Sequence, residues 1–311
     1  MNQTKFTPGP WLFSSYKSGN SVIVIDGKEF AQKLRNKVKK EIQYIKSKSK
    51  LTPGLTVILV GNSTPSEIYV KNKELLAKEV GINSKVLRFK SSISEEKLIS
   101  VIHRLNKDKK VHGILVQLPL PNHINGARII EELDPYKDVD GFHAINVGNL
   151  SSGKDALIPC TPLGCYLIIK NVCKNLSGLN AFIIGRSNLN GKPMAQLLLK
   201  ENCAVTIGHS KTKNLKELCK KADIVVAAVG RANLVKGDWI KNGAIVIDVG
   251  INRITLPDGK INTPYSQGIT VKTFKDTTVK LNGLTVKVYI DSMKITGFKG
   301  FPTGINYQCL N

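Results

Sequence analysis

Ser66, Tyr69 and Lys73 stand at i, i+3 and i+7, which puts a hydroxyl, an aromatic ring and an amine on one helical face. A lysine held by a packed ring at the edge of a cleft is desolvated, and its pKa falls toward the neutral range that general acid/base chemistry needs. Lys71 and Lys78 share the same stretch, so a solvated surface lysine is the plain alternative for Lys73. Residues 111–121 form an apolar run that stops at Gln117 and then meets Pro119 and Pro121. That is the pattern of a buried strand delivering an amide to a cleft. The run Lys137-Asp138-Val139-Asp140-Gly141-Phe142-His143 then reads as an acidic loop facing the same cleft. Asp140 offers acceptors only and suits a donor-rich ligand edge, with a turn-forming Asp ahead of Gly141 as the alternative.

A second group of residues points to a nucleotide. Gly185-Arg186-Ser187-Asn188-Leu189-Asn190-Gly191-Lys192-Pro193 follows an apolar strand and precedes a helical stretch. Phosphate binding on a helix N-terminus needs that order, although the run is not the GxGxxG fingerprint. An NAD site places an acid at the end of the next strand to hold the ribose hydroxyls. Here the matching residues are Gly208-His209-Ser210-Lys211, with no acid among them. Arg186 and Ser210 are placed to receive a 2′-phosphate instead, which favours NADP; Lys211 either adds charge or is simply solvated. Val229-Gly230 and Asp248-Val249-Gly250-Ile251-Asn252 end later strands where dinucleotide crevices form, or are plain strand-end turns.

The elements that must carry these residues alternate. A lysine-rich helix with Phe30, Leu34, Val38 and Ile42 at helical spacing ends at Pro53-Gly54. Strands over 55–60, 85–89 and 113–117 then alternate with helices over 66–80, closed by Gly81, and 94–105. Two prolines at Pro159 and Pro162 mark a hinge, and a further cycle follows, with a helix to about Asn171, strands over 182–185, 205–207, 224–229 and 244–249 and helices over 193–200 and 215–222. The expectation is an α/β fold in two domains: an N-terminal parallel-sheet catalytic domain and a Rossmann-like NADP-binding domain, with a cleft between them. The expected limits are an extension over 1–20, a first domain over 21–155, a second over 156–262 and an unassigned tail over 263–311, where helical periodicity is lost.

The bulk properties set bounds. The chain has 311 residues and 41% hydrophobic residues, enough for two cores, and no apolar run long enough for a membrane helix. Its formal charge of +23 invites a nucleic-acid reading, yet seven of the 46 basic residues are Arg and the lysines are spread without aromatic interleaving. That composition argues against nucleic acid as partner. Six cysteines lack any CxxC pair or His partner at metal spacing, so free thiols in a reducing compartment, and no metal, are expected. The first twenty residues lack the apolar core of a secretory signal.

These same residues carry a family resemblance. Residues 61–81, centred on Ser66-Glu67-Ile68-Tyr69-Val70-Lys71-Asn72-Lys73, with residues 111–121, 137–143 and 185–193, resemble the bifunctional methylenetetrahydrofolate dehydrogenase/cyclohydrolase family over about residues 25–261. The resemblance implies that Lys73 is the catalytic acid/base and Gln117 its hydrogen-bonding orienter. It implies that Tyr69 stacks on a pterin whose amino group Asp140 grips, with Ser66 in the substrate site. Gly185, Arg186, Ser187, Ser210 and the backbone of Ile251 would hold NADP. It further implies oxidation of 5,10-methylenetetrahydrofolate to the methenyl form, its hydrolysis to 10-formyltetrahydrofolate, a cytoplasmic homodimer formed through the second domain, and a role in one-carbon metabolism supplying purine and amino-acid biosynthesis. Two departures stand out. Leu189-Asn190 replaces the more usual Ile-Val pair, and past residue 261 the family's Pro-Val-Pro-Gly-Gly-Val-Gly-Pro loop and returning helix are absent, with Lys299-Gly300-Phe301-Pro302-Thr303-Gly304 no substitute. A reading-frame change would produce such a switch, and a degenerate member that binds NADP without catalysis is the competing expectation.

Overall fold

The computed structural model describes residues 23–231, 234–249, 254–255, 261–262 and 286–289. The expected extension over 1–20, Ile251 and most of the tail over 263–311 lie outside them. The chain opens with strand β1 (Ile23–Asp26) and helix α1 (Gly27–Ser49), then alternates β2 (Gly54–Val60), α2 (Thr64–Val80), β3 (Asn83–Phe89), α3 (Glu95–Lys107) and β4 (Gly113–Val116). Two short helices follow, α4 (Gly126–Glu131) and α5 (Ala144–Ser151). Then come α6 (Cys160–Val172), β5 (Asn180–Ile184), α7 (Gly191–Lys200), β6 (Ala204–Gly208), α8 (Leu215–Lys221), β7 (Ile224–Ala227) and β8 (Ile245–Asp248). A small antiparallel pair, β9 (Ile254–Thr255) with β10 (Ile261–Asn262), and strand β11 (Val286–Tyr289) complete the described elements.

Two parallel sheets organise the molecule. The first has strand order β3-β2-β4, and its side chains sort by the alternation of a pleated strand. Leu55, Val57 and Leu59 face α1 and α2, packing with Val38, Ile42, Val70 and Ala77. Ile58 and Val60 face the other way, onto Leu98, Ile102 and Ile129 of α3 and α4. Both faces are covered, which is why β2 is buried throughout and reads as an apolar run broken only by Thr56. The second sheet has six strands in the order β1-β11-β8-β7-β5-β6, all parallel. Ile183, Val226 and Ile247 pack on α6 and α7, while Phe182, Val225 and Val246 pack with Cys219 of α8.

The helix expected after the prolines Pro159 and Pro162 is α6, with Pro162 in its first turn, where a missing N–H leaves no hydrogen bond unmade. Two features depart from the expected pattern. Strand β1 falls in the stretch expected for the first domain, yet its backbone pairs with β11 in the second sheet and Ile25 joins that sheet's core. Strand β11 lies in the tail that lacked periodicity, and it sits between β1 and β8. Among the described residues no helix is long and apolar enough to cross a membrane, and no cluster of His, Cys, Asp and Glu is suited to a metal ion.

Candidate active site

Helix α2 is placed by its ends and its apolar face. Pro65 stands in its first turn, and Gly81 closes it at φ +92°, a left-handed conformation that a side chain would strain. The buried residues Ser66, Val70, Lys73 and Ala77 follow the helical period, so Ser66 and Lys73 are carried inward with the core face. Lys73 is only 4% exposed, which removes the surface-lysine alternative. Tyr69, one turn before it, is half-buried. Gln117 immediately follows β4, its backbone N–H donating to the Ile58 carbonyl at 2.9 Å to extend the sheet by one residue. Its Oε1 accepts from Lys73 Nζ at 2.8 Å, and its own amide donates to the Leu118 carbonyl at 2.6 Å. The amide is thus oriented so that its oxygen, not its nitrogen, meets the lysine. A neutral partner positions the amine without adding a charge to it.

The acidic loop is locked to the same strand. Asp138 forms a parallel bridge with Ile114, and Val139 is so close to β4 that a Cβ on Gly113 would lie 2.5 Å from its side chain. The Gly141 N–H then donates to the Asp138 carbonyl at 3.0 Å, so Val139 and Asp140 form a turn immediately past that bridge. Gly141 turns the chain at φ +65°, and any side chain there would collide with the Leu157 carbonyl. Asp140 is 7% exposed, and its Oδ1 is buried without a hydrogen-bond partner. A turn-forming Asp satisfies itself on nearby backbone; an unpaired buried carboxylate oxygen is what a site for a donor-bearing ligand presents.

Sequence reasoning passed over the inner part of this loop. Asp138 is 1% exposed, and its Oδ2 accepts from the His143 N–H at 2.8 Å and from Asn146 Nδ2 at 3.1 Å. Burial pushes its carboxyl above the ordinary Asp value of 3.8, against those two hydrogen bonds, and the Asp140 charge pushes in the same upward direction. His143 caps α5, its Nδ1 accepting from the Ile145 N–H at 3.1 Å. The available signal was the second Asp two residues before Asp140 in one short run.

The nucleotide-like turn is built from backbone. Gly185 leaves β5 at φ +120°, where a Cβ would press on the Ala228 carbonyl, and a Cβ on Gly191 would overlap the Gly185 carbonyl. The turn between them folds back through Ser187, whose Oγ accepts from the Asn190 N–H at 3.1 Å and whose carbonyl accepts from the Lys192 N–H at 3.1 Å. Helix α7 therefore begins against the end of β5, with room for no side chain at its first residue. The Gly185 N–H donates to the Gly208 carbonyl at 2.8 Å, which sets the loops carrying Arg186 and Ser210 side by side. Both residues are exposed, and the loop after β6 is stapled by Thr212 Oγ1 accepting from the His209 N–H at 2.9 Å. No acid stands in that loop.

Comparison with known proteins matches both halves. A model of the tetrahydrofolate dehydrogenase/cyclohydrolase catalytic domain covers residues 25–140, and a model of the NAD(P)-binding domain of the same enzymes covers residues 159–285. The chain belongs to the tetrahydrofolate dehydrogenase/cyclohydrolase family. The match runs past residue 261, so the family resemblance extends further than the motifs alone indicated, up to the residue before β11. The chain is 60% identical over 232 residues to the bifunctional protein FolD of Pelagibacter ubique, covering 75% of this chain and 83% of that one. The FolD of Paramagnetospirillum magneticum is 53% identical over 236 residues, covering 76% and 80%. Among solved structures, the bifunctional FolD of Campylobacter jejuni aligns with a TM-score of 0.80 at 38% identity, covering 89% of this chain and 96% of that one. The Trypanosoma brucei methylenetetrahydrofolate dehydrogenase-cyclohydrolase, solved with NADP and an inhibitor, aligns at 0.78 and 28% identity over 89% and 94%.

The structure joins Lys73 of α2 to Gln117 at the end of β4, keeps Ser66 and Tyr69 on the same helix as Lys73, and sets Asp140 in the turn that follows the Asp138 bridge to β4. It brings Gly185, Arg186, Ser187 and Ser210 to the ends of β5 and β6. The buried thiols take no part in either group. Cys165 is pushed up to about 12 by burial, far from the thiolate a nucleophile needs.

Proposed function

We propose that this chain oxidises 5,10-methylenetetrahydrofolate to 5,10-methenyltetrahydrofolate with NADP, and hydrolyses that product to 10-formyltetrahydrofolate. The observation that carries the reading is the buried Lys73 Nζ held 2.8 Å from Gln117 Oε1. In this reading NADP accepts the hydride, and the protein's residues bind, orient and move protons. Lys73 is the acid/base group at the reacting carbon, Gln117 fixes its amine, Tyr69 stacks on the pterin ring, and Ser66 lines the same face. The orphaned Oδ1 of Asp140 accepts from the pterin amino group.

The residues present fit the cofactor. The Gly185 and Gly191 positions form a cradle that any Cβ would fill, as close approach of a pyrophosphate to backbone demands. Arg186 and Ser210, on adjacent loops, with no acid in the loop after β6, support a 2′-phosphate and hence NADP over NAD. We assign the folate site to a unit spanning roughly residues 21–155 and the NADP site to one spanning 156–262; family-model matches over 25–140 and 159–285 support that order of sites, while the second match runs past 262 and β1 adds residues 23–26 to the second sheet.

A homodimer through the second unit, working in the cytoplasm, fits two further observations. Strand β6 is the open edge of the six-stranded sheet and carries Ile207 at 37% exposure, and the five cysteines among the described residues are all free. Ile207→Lys should shift the sedimentation profile from dimer to monomer; an unchanged profile removes β6 from the interface.

NADP-dependent formation of methenyltetrahydrofolate by the purified chain, beside a Lys73→Ala variant assayed for hydrolysis of that product, tests the activity. Turnover lost in the variant supports the reading. Folded, NADP-binding protein without turnover sinks it in favour of a non-catalytic member.

A further inference from the structure

We infer that Asp138, braced by Asn146, is a positioning residue that sets the direction of Asp140. This inference rests on the reading of Asp140 as the carboxylate that holds the substrate. Because Asp140 Oδ1 has no hydrogen bond of its own, its aim is fixed by the backbone on either side of it. On one side is Asp138, bridged to β4 at Ile114, whose carbonyl accepts from the Gly141 N–H at 3.0 Å to close the turn that holds Asp140. On the other is Gly141, packed against the Leu157 carbonyl.

Asn146 joins the two sides. Its Nδ2 donates to Asp138 Oδ2 at 3.1 Å and to the Pro135 carbonyl at 2.8 Å, and its Oδ1 accepts from the Leu157 N–H at 3.2 Å. The Asp138 carboxylate also accepts from the His143 N–H at 2.8 Å, closing a ring around Val139, Asp140 and Gly141. The segment at Leu157 leads directly into α6, so the ring ties the substrate loop to the connection between the two sheets. One buried oxygen that accepts from both the His143 N–H and Asn146 Nδ2 fixes the turn that carries Asp140, and an amide oxygen in the same place would serve that purpose as a carboxylate does.

The test uses the full chain and steady-state oxidation of 5,10-methylenetetrahydrofolate, with KM measured separately for the folate and for NADP. Asp138→Ala should raise the folate KM about tenfold while the NADP KM stays within about twofold, since a lost charged hydrogen bond acts on the loop alone. Asp138→Asn keeps the accepting oxygen and should restore most of the folate affinity. A folate KM unchanged in Asp138→Ala, folate and NADP values that rise together, or no rescue by Asp138→Asn would each overturn the inference. If Asp138→Ala does not fold, Asn146→Ala carries the test under the same criteria. Asp140→Ala separates the two layers of the argument: an unchanged folate KM there removes the reading of Asp140 and the inference with it. A raised one beside a silent Asp138→Ala removes only the inference.

Discussion

The two halves of the proposed active site are built from different material. The proposed folate side consists of buried side chains joined to one another, Lys73 to Gln117 across 44 positions and Asp138 to Asn146 across eight. The proposed nucleotide side is mostly backbone, with glycines at 185 and 191 pressed against carbonyls and the side chains of Arg186 and Ser210 left exposed. The difference follows from what each ligand needs. A proton transfer requires a particular amine in a particular state, which burial and a chosen partner provide. A diphosphate requires room and N–H groups, which any sequence supplies once the Cβ atoms are absent.

If that contrast holds, the largest effect belongs to Lys73→Ala. Hydrolysis of methenyltetrahydrofolate should fall about a hundredfold to ten-thousandfold, as loss of a general acid/base does, with NADP affinity unchanged. A variant that hydrolyses normally would place the acid/base chemistry elsewhere. On the nucleotide side, Gly191→Ala forces a methyl onto the Gly185 carbonyl. It should weaken NADP binding by roughly 2 kcal/mol through backbone displacement, leaving folate binding intact, as fluorescence titration of both ligands would reveal. Equal losses for both ligands would mean that the two sites do not fail independently.

A smaller change is expected where a nucleotide-side contact is a side chain. Arg186→Ala should lower the preference for NADP over NAD about tenfold by removing a charge-assisted contact to the 2′-phosphate. Retained preference in a kcat/KM comparison would leave Ser210 or Lys211 as the discriminating residue. The smallest effect is in stability and carries a definite sign. Burial holds the folded carboxyl of Asp138 above 3.8, so its contribution is full below that pH and is lost as pH rises through the raised value. Asp140 and His143 are the charged and titratable neighbours that face it, and Glu131 Oε2 lies 3.7 Å from His143 Nε2. Asp138→Asn cannot ionise, so its stability relative to the parent should improve between pH 4 and pH 7 in urea denaturation. A relative loss over that range would show that the carboxylate is stabilised in the fold after all.

Much of the architecture was legible because the central strands are buried on both faces, whereas β3 and β6 are largely exposed. Strands β2, β4, β5 and β7 appear in the sequence as largely apolar runs, and the observed limits differ from the expected ones by a few residues. Helix α2 was legible from its period, and with it the shared face of Ser66, Tyr69 and Lys73. Helices α4 and α5 were not. The first has six residues and the second eight, and their starts are secured by Asn125 and by the ring of His143. A His cap carries little sequence signal compared with Ser, Thr or Asp. Strand β11 was invisible for another reason: a four-residue β-branched segment takes meaning only from the neighbours it pairs with, here β1 and β8.

What the sequence determined by itself is local: which segments are helix or strand, which face of α2 turns inward, and that the strand after the glycine turn ends without an acid. Those properties depend on the period of apolar residues and on residue type. The tertiary structure alone decided that Lys73 and Gln117, 44 positions apart, meet at 2.8 Å. It alone left Asp140 Oδ1 unpaired, made Asp138 the anchor of the loop, and set β1 and β11 in the second sheet. Pairing between distant strands and the satisfaction of a buried oxygen are set by which surfaces close on one another, and no local spacing encodes that choice.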